Sequence, residues 1–146
     1  MVAYSNFIKR LYISLQLMEL DFINNVNEFD ESVVRLYNFN RDEAILFRDL
    51  IQIVIIENNT RLDLSSIHFI ENRNCNLILG LFKTDEGILS SDHKTFYCAL
   101  TKEAYITMVS LLDPFCIKDR KGYQYLYDID NPTELLFSPT ASLIDE

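Results

Sequence analysis

Apolar and polar positions alternate most cleanly over residues 75–83, where Leu77, Leu79 and Leu81 fall on one side and Ile78, Gly80 and Phe82 on the other. A period of two marks a β-strand, and apolar residues on both sides suggest a central strand. Residues 95–100 repeat the pattern, with Phe96, Cys98 and Leu100 set against Tyr97 and Ala99. Shorter runs at residues 33–39, 61–64, 67–70, 123–127 and 135–137 predict further strands. Residues 8–22 fit two periods. Leu11, Ile13, Leu15 and Leu17 alternate with polar neighbours, whereas Ile8, Leu11, Leu15, Met18 and Phe22 have helical spacing. A strand is favoured there, because a polar stretch at residues 24–31 follows and leads into the next strand.

The period changes to that of a helix at two places, each opened by a residue suited to capping. Asn40 can accept from the free N–H groups of a helix start, and Glu43 can complete a capping box. Phe47, Leu50, Ile51 and Val54 then form one apolar stripe. Residues 53–56 are apolar all round, which predicts an end covered from several sides, and Asn58 and Asn59 end it. Thr101 opens the second helix, with Glu103 in its first turn and Tyr105, Met108, Val109 and Leu112 on its buried stripe. Pro114 is expected to stop it, since the residue before proline is pushed out of helical geometry. Turns fall at Thr84-Asp85-Glu86-Gly87, with glycine placed for positive φ, at residues 90–92, and at Asn131-Pro132.

The order reads as β-β-α-β-β-β-β-α-β-β. That pattern predicts an α+β fold with two helices packed on a mainly antiparallel sheet, because tight turns between strands outnumber strand–helix–strand crossovers. The 146 residues fit one domain over residues 1–146, with residues 140–146 frayed. Apolar residues at 49% and charged residues at 24% place the chain with ordinary globular proteins.

Charge narrows the partners. The formal net charge is −9, and the single basic cluster (Lys118, Arg120 and Lys121) is interrupted by Asp119. Such a surface repels phosphate backbones, so neither nucleic acid nor an anionic membrane is an expected partner. The apolar run at residues 11–20 is broken by Ser14, Gln16 and Glu19, so neither a signal peptide nor a bilayer span is expected there. Cys75, Cys98 and Cys116 lie in apolar surroundings with no C-x-x-C spacing, as expected of reduced thiols in a cytoplasmic protein.

Catalytic constellations are scarce. Gly80, Gly87 and Gly122 stand too far apart to form a phosphate-cradling loop. His68 and His93 lack ligand spacing, and no cofactor or metal is expected. Asp128, Asp130, Asn131 and Glu134 come nearest to a cation site, but turn chemistry at Asn131-Pro132 accounts for them as well. Tyr123, Tyr125 and Tyr127 share one side of an extended segment, either covering the core or forming a patch for a partner protein. The acidic residues 28–31 are the second candidate surface. The sequence therefore favours a non-enzymatic protein-binding or regulatory domain, in the manner of an acidic inhibitor or immunity protein, acting on an unidentified protein partner. The alternative is a small enzyme using dispersed carboxylates and tyrosines. Homo-oligomer formation stays open.

Overall fold

The computed structural model describes residues 17–25 and 31–141. Strand β1 (Met18–Ile23) pairs antiparallel with β2 (Ser32–Tyr37), and most of the ambiguous segment at residues 8–22 lies outside the described residues. Its described part is a strand. Helix α1 (Arg41–Leu50) follows, continued by a π-helical turn at Ile51–Glu57. Then come β3 (Leu62–Asp63), a 3₁₀ turn at Leu64–Ser66, β4 (Ile70–Asn72), β5 (Asn76–Leu81), β6 (Gly87–Leu89) and β7 (Thr95–Leu100). Helix α2 (Lys102–Ile117), β8 (Gln124–Tyr125) and β9 (Thr133–Ser138) complete the order.

The α+β class holds, and the strands divide between two sheets. One runs β4-β1-β2-β9-β8 and the other β3-β5-β7-β6. Both are mixed: four pairings are antiparallel and three (β1–β4, β2–β9 and β5–β7) parallel. Five strands rather than four separate the helices, because Ile88 and Leu89 extend the glycine turn into β6. The strand expected at residues 67–70 moves to Ile70–Asn72. Asp63 accepts from the N–H of Ser65 at 3.0 Å and winds the chain into the 3₁₀ turn first.

One continuous core joins the two sheets and the two helices. Leu77, Leu79, Phe96, Cys98 and Leu100 enter it from the second sheet, as their alternation requires. Met108 and Tyr105 meet them from α2. Phe137 is its aromatic centre, stacked on Phe39 at 4.0 Å and on Phe47 at 5.8 Å, with Phe115 edge-on at 5.1 Å. All three cysteines are buried and unpaired.

The start of α1 is capped three times over. Asn40 accepts from Asp42 N–H at 3.0 Å and Glu43 from Asn40 N–H at 2.8 Å, while Asp119, beyond α2, accepts from Arg41 N–H at 2.6 Å. Most of the orphan donors of that turn are thereby satisfied.

Two expectations for the helix ends need correction. Pro114 does not stop α2, which continues to Ile117. The proline removes one N–H bond, to the carbonyl of Ser110, and that residue is exposed to water. Phe115 and Cys116 are buried by the extra turn, which offsets the loss. At the end of α1, the run of residues 53–56 is not covered on every side. Ile55 is buried but Ile53 is half exposed, because the π-helical turn rotates the side chains away from α-helical positions. The widened end is closed by Asn58 Nδ2 donating to the carbonyl of Ile53 and Thr60 Oγ1 to that of Val54.

The seam between the sheets lies at β6. Its N–H of Ile88 donates to Tyr127 Oη at 3.2 Å, and Tyr127 in turn donates to the carbonyl of Thr133. Asn131 Nδ2 donates to the carbonyls of Glu86 at 2.6 Å and Ile88 at 3.3 Å. Gly87 makes this approach feasible. Its φ is +81°, and a Cβ there would stand 2.9 Å from Asn131 Nδ2 and 3.0 Å from both Tyr127 Cζ and Ile129 Cδ1. Gly87→Ala should therefore destabilise the protein by about 1–3 kcal/mol from the backbone conformation alone, with displacement of Asn131 adding to it. Urea melts check this; a variant as stable as the parent would contradict the seam as described.

Candidate functional site

Between α2 and the β8–β9 segment lies a cleft of about 690 Å³. Its floor is apolar, from Leu100, Ala104, Leu126 and Ile129. Its walls carry four carboxylates: Asp85 from the turn before β6, Glu103 from α2, Asp128 from the loop after β8, and Glu134 from β9. Among the described residues no lysine, arginine or histidine lines it.

The carboxylates fall into two electrostatic situations. Asp85 accepts from Thr101 N–H at 2.8 Å, and Glu103 sits in the first turn of α2, where Thr101 Oγ1 accepts from Ala104 N–H at 3.3 Å. Both lie at the positive end of the helix dipole, opposite in sign to a carboxylate. Glu134 has no such compensation. Burial pushes its carboxyl above the ordinary glutamate value, and neighbouring Glu31 and Asp128 push it further. Tyr125 beside it is also raised, by burial first and then by Tyr123, Glu134 and Glu31. Negative potential is therefore concentrated along the β8–β9 wall.

The three tyrosines separate. Tyr123 and Tyr125 are exposed and meet edge to face at 5.6 Å. Tyr125 stands on the cleft wall. Tyr127 is in the core, its hydroxyl taken up by the seam, and lends the cleft only part of its ring surface. The alternation that puts three tyrosines on one side of a strand fails because β8 spans only Gln124–Tyr125, and the chain turns inward at Leu126. The exposed patch is thus two rings.

Other residues singled out by the sequence take structural places. Asn131 turns away from Asp128 and Glu134 to bind β6, which breaks up the suspected cation loop. Among the described residues no three His, Cys, Asp or Glu side chains converge as a metal site would require. Cys98 is fully buried and its thiol is pushed up to about 12, so it is not a thiolate nucleophile at neutral pH. His93 packs against Phe22 and Phe96 at a turn where its φ is +57°. Glu31 is described, whereas residues 28–30 lie outside the described residues. Nothing in the local pattern points to Asp85 and Glu103 sharing a cleft with Asp128 and Glu134, because turn and helix-start chemistry already account for both.

The raised Glu134 carboxyl makes the stability of the fold depend on pH. Unfolded, it ionises at an ordinary glutamate value near 4.5. Folded, it holds its proton to higher pH, so its contribution to stability is fullest below the unfolded value and is lost as pH rises through the folded one. Glu134→Gln should accordingly raise the melting temperature at pH 7 and leave it unchanged near pH 3. A lowered melting temperature at pH 7 would contradict the placement of Glu134 among like charges.

Comparison with protein-family models and with curated protein sequences finds no match to this chain.

Proposed function

We propose that the protein is a non-enzymatic binding domain whose acidic cleft receives a basic segment of a partner protein. The observation that carries this reading is the lining of the cleft: among the described residues, four carboxylates, no cation, apolar side chains and a tyrosine. A basic side chain laid there meets charge that the protein itself leaves uncompensated on the β8–β9 side. The net charge of −9 adds long-range attraction, which speeds encounter with a basic partner and discriminates against acidic ones. Tyr125 on the wall, with Tyr123 packed edge to face against it, offers rigid ring area, the kind of surface on which binding energy concentrates. A small acidic inhibitor or immunity-type protein is the form of domain that best suits these features. Three buried, unpaired thiols favour a reducing compartment, and hence the cytoplasm, as its place of action. No helix among the described residues is long and apolar enough to cross a membrane.

One observation favours a second reading, that of a small enzyme. Glu134, with its raised carboxyl, stands near Asp128 and Tyr125, and a carboxyl that keeps its proton to higher pH can serve as an acid. Binding is preferred because no nucleophile or activated cofactor site accompanies the pair among the described residues.

A lysine-rich peptide serves as probe. Its affinity, measured by calorimetry, should fall steeply with added salt, as charge attraction requires. Tyr125→Ala should weaken it by about 1–2 kcal/mol while leaving the thermal melt close to that of the parent. Salt-independent affinity, or a Tyr125→Ala variant that binds as the parent does, would remove the cleft as the site of contact.

A further inference from the structure

The second sheet turns one face to the core, and its other face carries a groove of about 540 Å³. Strand register explains the shape. Arg61 precedes β3 by one residue, and continuing the β3–β5 pairing (Leu62 with Leu79) sets it opposite Gly80, which in turn pairs with Ala99 of β7. A row of small residues therefore runs away from Arg61 across two strand spacings, ~10 Å. Ile78, Tyr97 and Leu89 rise on one side of this row and Phe82 on the other, and all four line the groove. Phe82 is 53% exposed, Tyr97 44% and Leu89 43%. Large rings and aliphatic groups gathered at this exposure signal a ligand-contacting surface more than a solvated one.

The polar end is equally specific. The Arg61 stem passes Gly80, with Cγ 3.6 Å from where a Cβ would lie, so the glycine leaves room for the arginine to reach along the sheet. Among the described residues no Asp or Glu lines the groove and none forms an ion pair with Arg61, although the chain has 22 acidic side chains against 13 basic ones. Asn59, also lining this end, has φ +54° and makes no side-chain hydrogen bond among the described residues.

We infer that the outer face of the second sheet binds an amphipathic carboxylate, its alkyl chain along the Gly80–Ala99 trough and its carboxylate on Arg61. A guanidinium pairs with a carboxylate through two parallel N–H bonds, and Asn59 adds a third donor beside it. The trough is one residue row wide between its walls, which suits a methylene chain and leaves no room for a pleated peptide strand. A cationic ligand would face Arg61 with no counter-charge in the groove. This site lies apart from the acidic cleft and does not depend on its assignment.

Decanoate, kept below its micelle-forming concentration, is the probe, and amide chemical shifts of the isotope-labelled protein are the readout. The expected result is saturable shifts at Gly80, Tyr97 and Ala99. Arg61→Gln, an exposed substitution, should weaken the affinity about tenfold or more through loss of the charged hydrogen bonds. Decanol, with a similar chain and no carboxylate, should bind the parent protein as weakly as decanoate binds the variant. Absence of saturable shifts at these residues would overturn the proposal, as would equal affinity for decanoate and decanol. Concentration-dependent dimerisation abolished by Tyr97→Lys would assign the face to a second copy of the chain and would likewise overturn it.

Discussion

The edge of β6 is closed by two side chains where another strand would ordinarily be needed. An open edge presents unpaired N–H and C=O groups, which attract foreign strands. Here Tyr127 Oη takes the N–H of Ile88, and Asn131 Nδ2 serves the carbonyls of Glu86 and Ile88. Both residues belong to the segment joining β8 to β9, so closing the edge also ties the second sheet to the first. The arrangement permits no side chain at Gly87. It also fixes the chain on either side of Tyr127, and with it the positions of Tyr125 and Asp128 on the cleft wall. Cleft and seam are two consequences of one set of hydrogen bonds.

The opposite wall is held by a second tyrosine. Asn76 N–H donates to the carbonyl of Lys94 and Phe82 N–H to that of Leu100, a parallel ladder in which Gly80 N–H faces the carbonyl of Cys98. The hydroxyl of Tyr105, fully buried on α2, bridges these two groups, accepting from Gly80 at 2.9 Å and donating to Cys98. A buried hydroxyl without partners would cost several kcal/mol, roughly 2–7, whereas this one is satisfied in both roles. Burial in that environment also pushes its ionisation far above the ordinary tyrosine range. Helix α2 is thereby locked in register with the sheet, and Glu103, two residues before Tyr105, is held at the mouth of the cleft.

Local chemistry was the legible part of the sequence. The Asn40–Glu43 capping box, the Thr101 cap, the glycine turn at Gly87 and the strand periods of residues 75–83 and 95–100 all depend on near neighbours, and each stands where its pattern puts it. Tertiary contacts decided the rest. The burial of Phe115 carries α2 past Pro114, and the end of α1 widens into a π-helical turn closed by Asn58 and Thr60. The split into two sheets rests on parallel pairings between strands far apart in sequence, such as β2 with β9, which no local period encodes. The candidate site was half visible. Tyr125 and Glu134 stood out by composition, but Tyr127 is indistinguishable from Tyr125 until the inward turn at Leu126 is known, and Asp85 and Glu103 join them only through the packing of α2.

Hydrogen exchange at the amide of Ile88 tests the seam most directly. Exchange from an unpaired edge strand proceeds by small local openings, whereas an amide bonded to a buried group exchanges only when a larger unit unfolds. If Tyr127 closes the edge, Ile88 N–H should be protected close to the level of the central strand β5, and Tyr127→Phe should reduce that protection selectively, ahead of Leu77 and Leu79. Rapid exchange of Ile88 in the unaltered protein, comparable to that of exposed loop amides, would contradict the account.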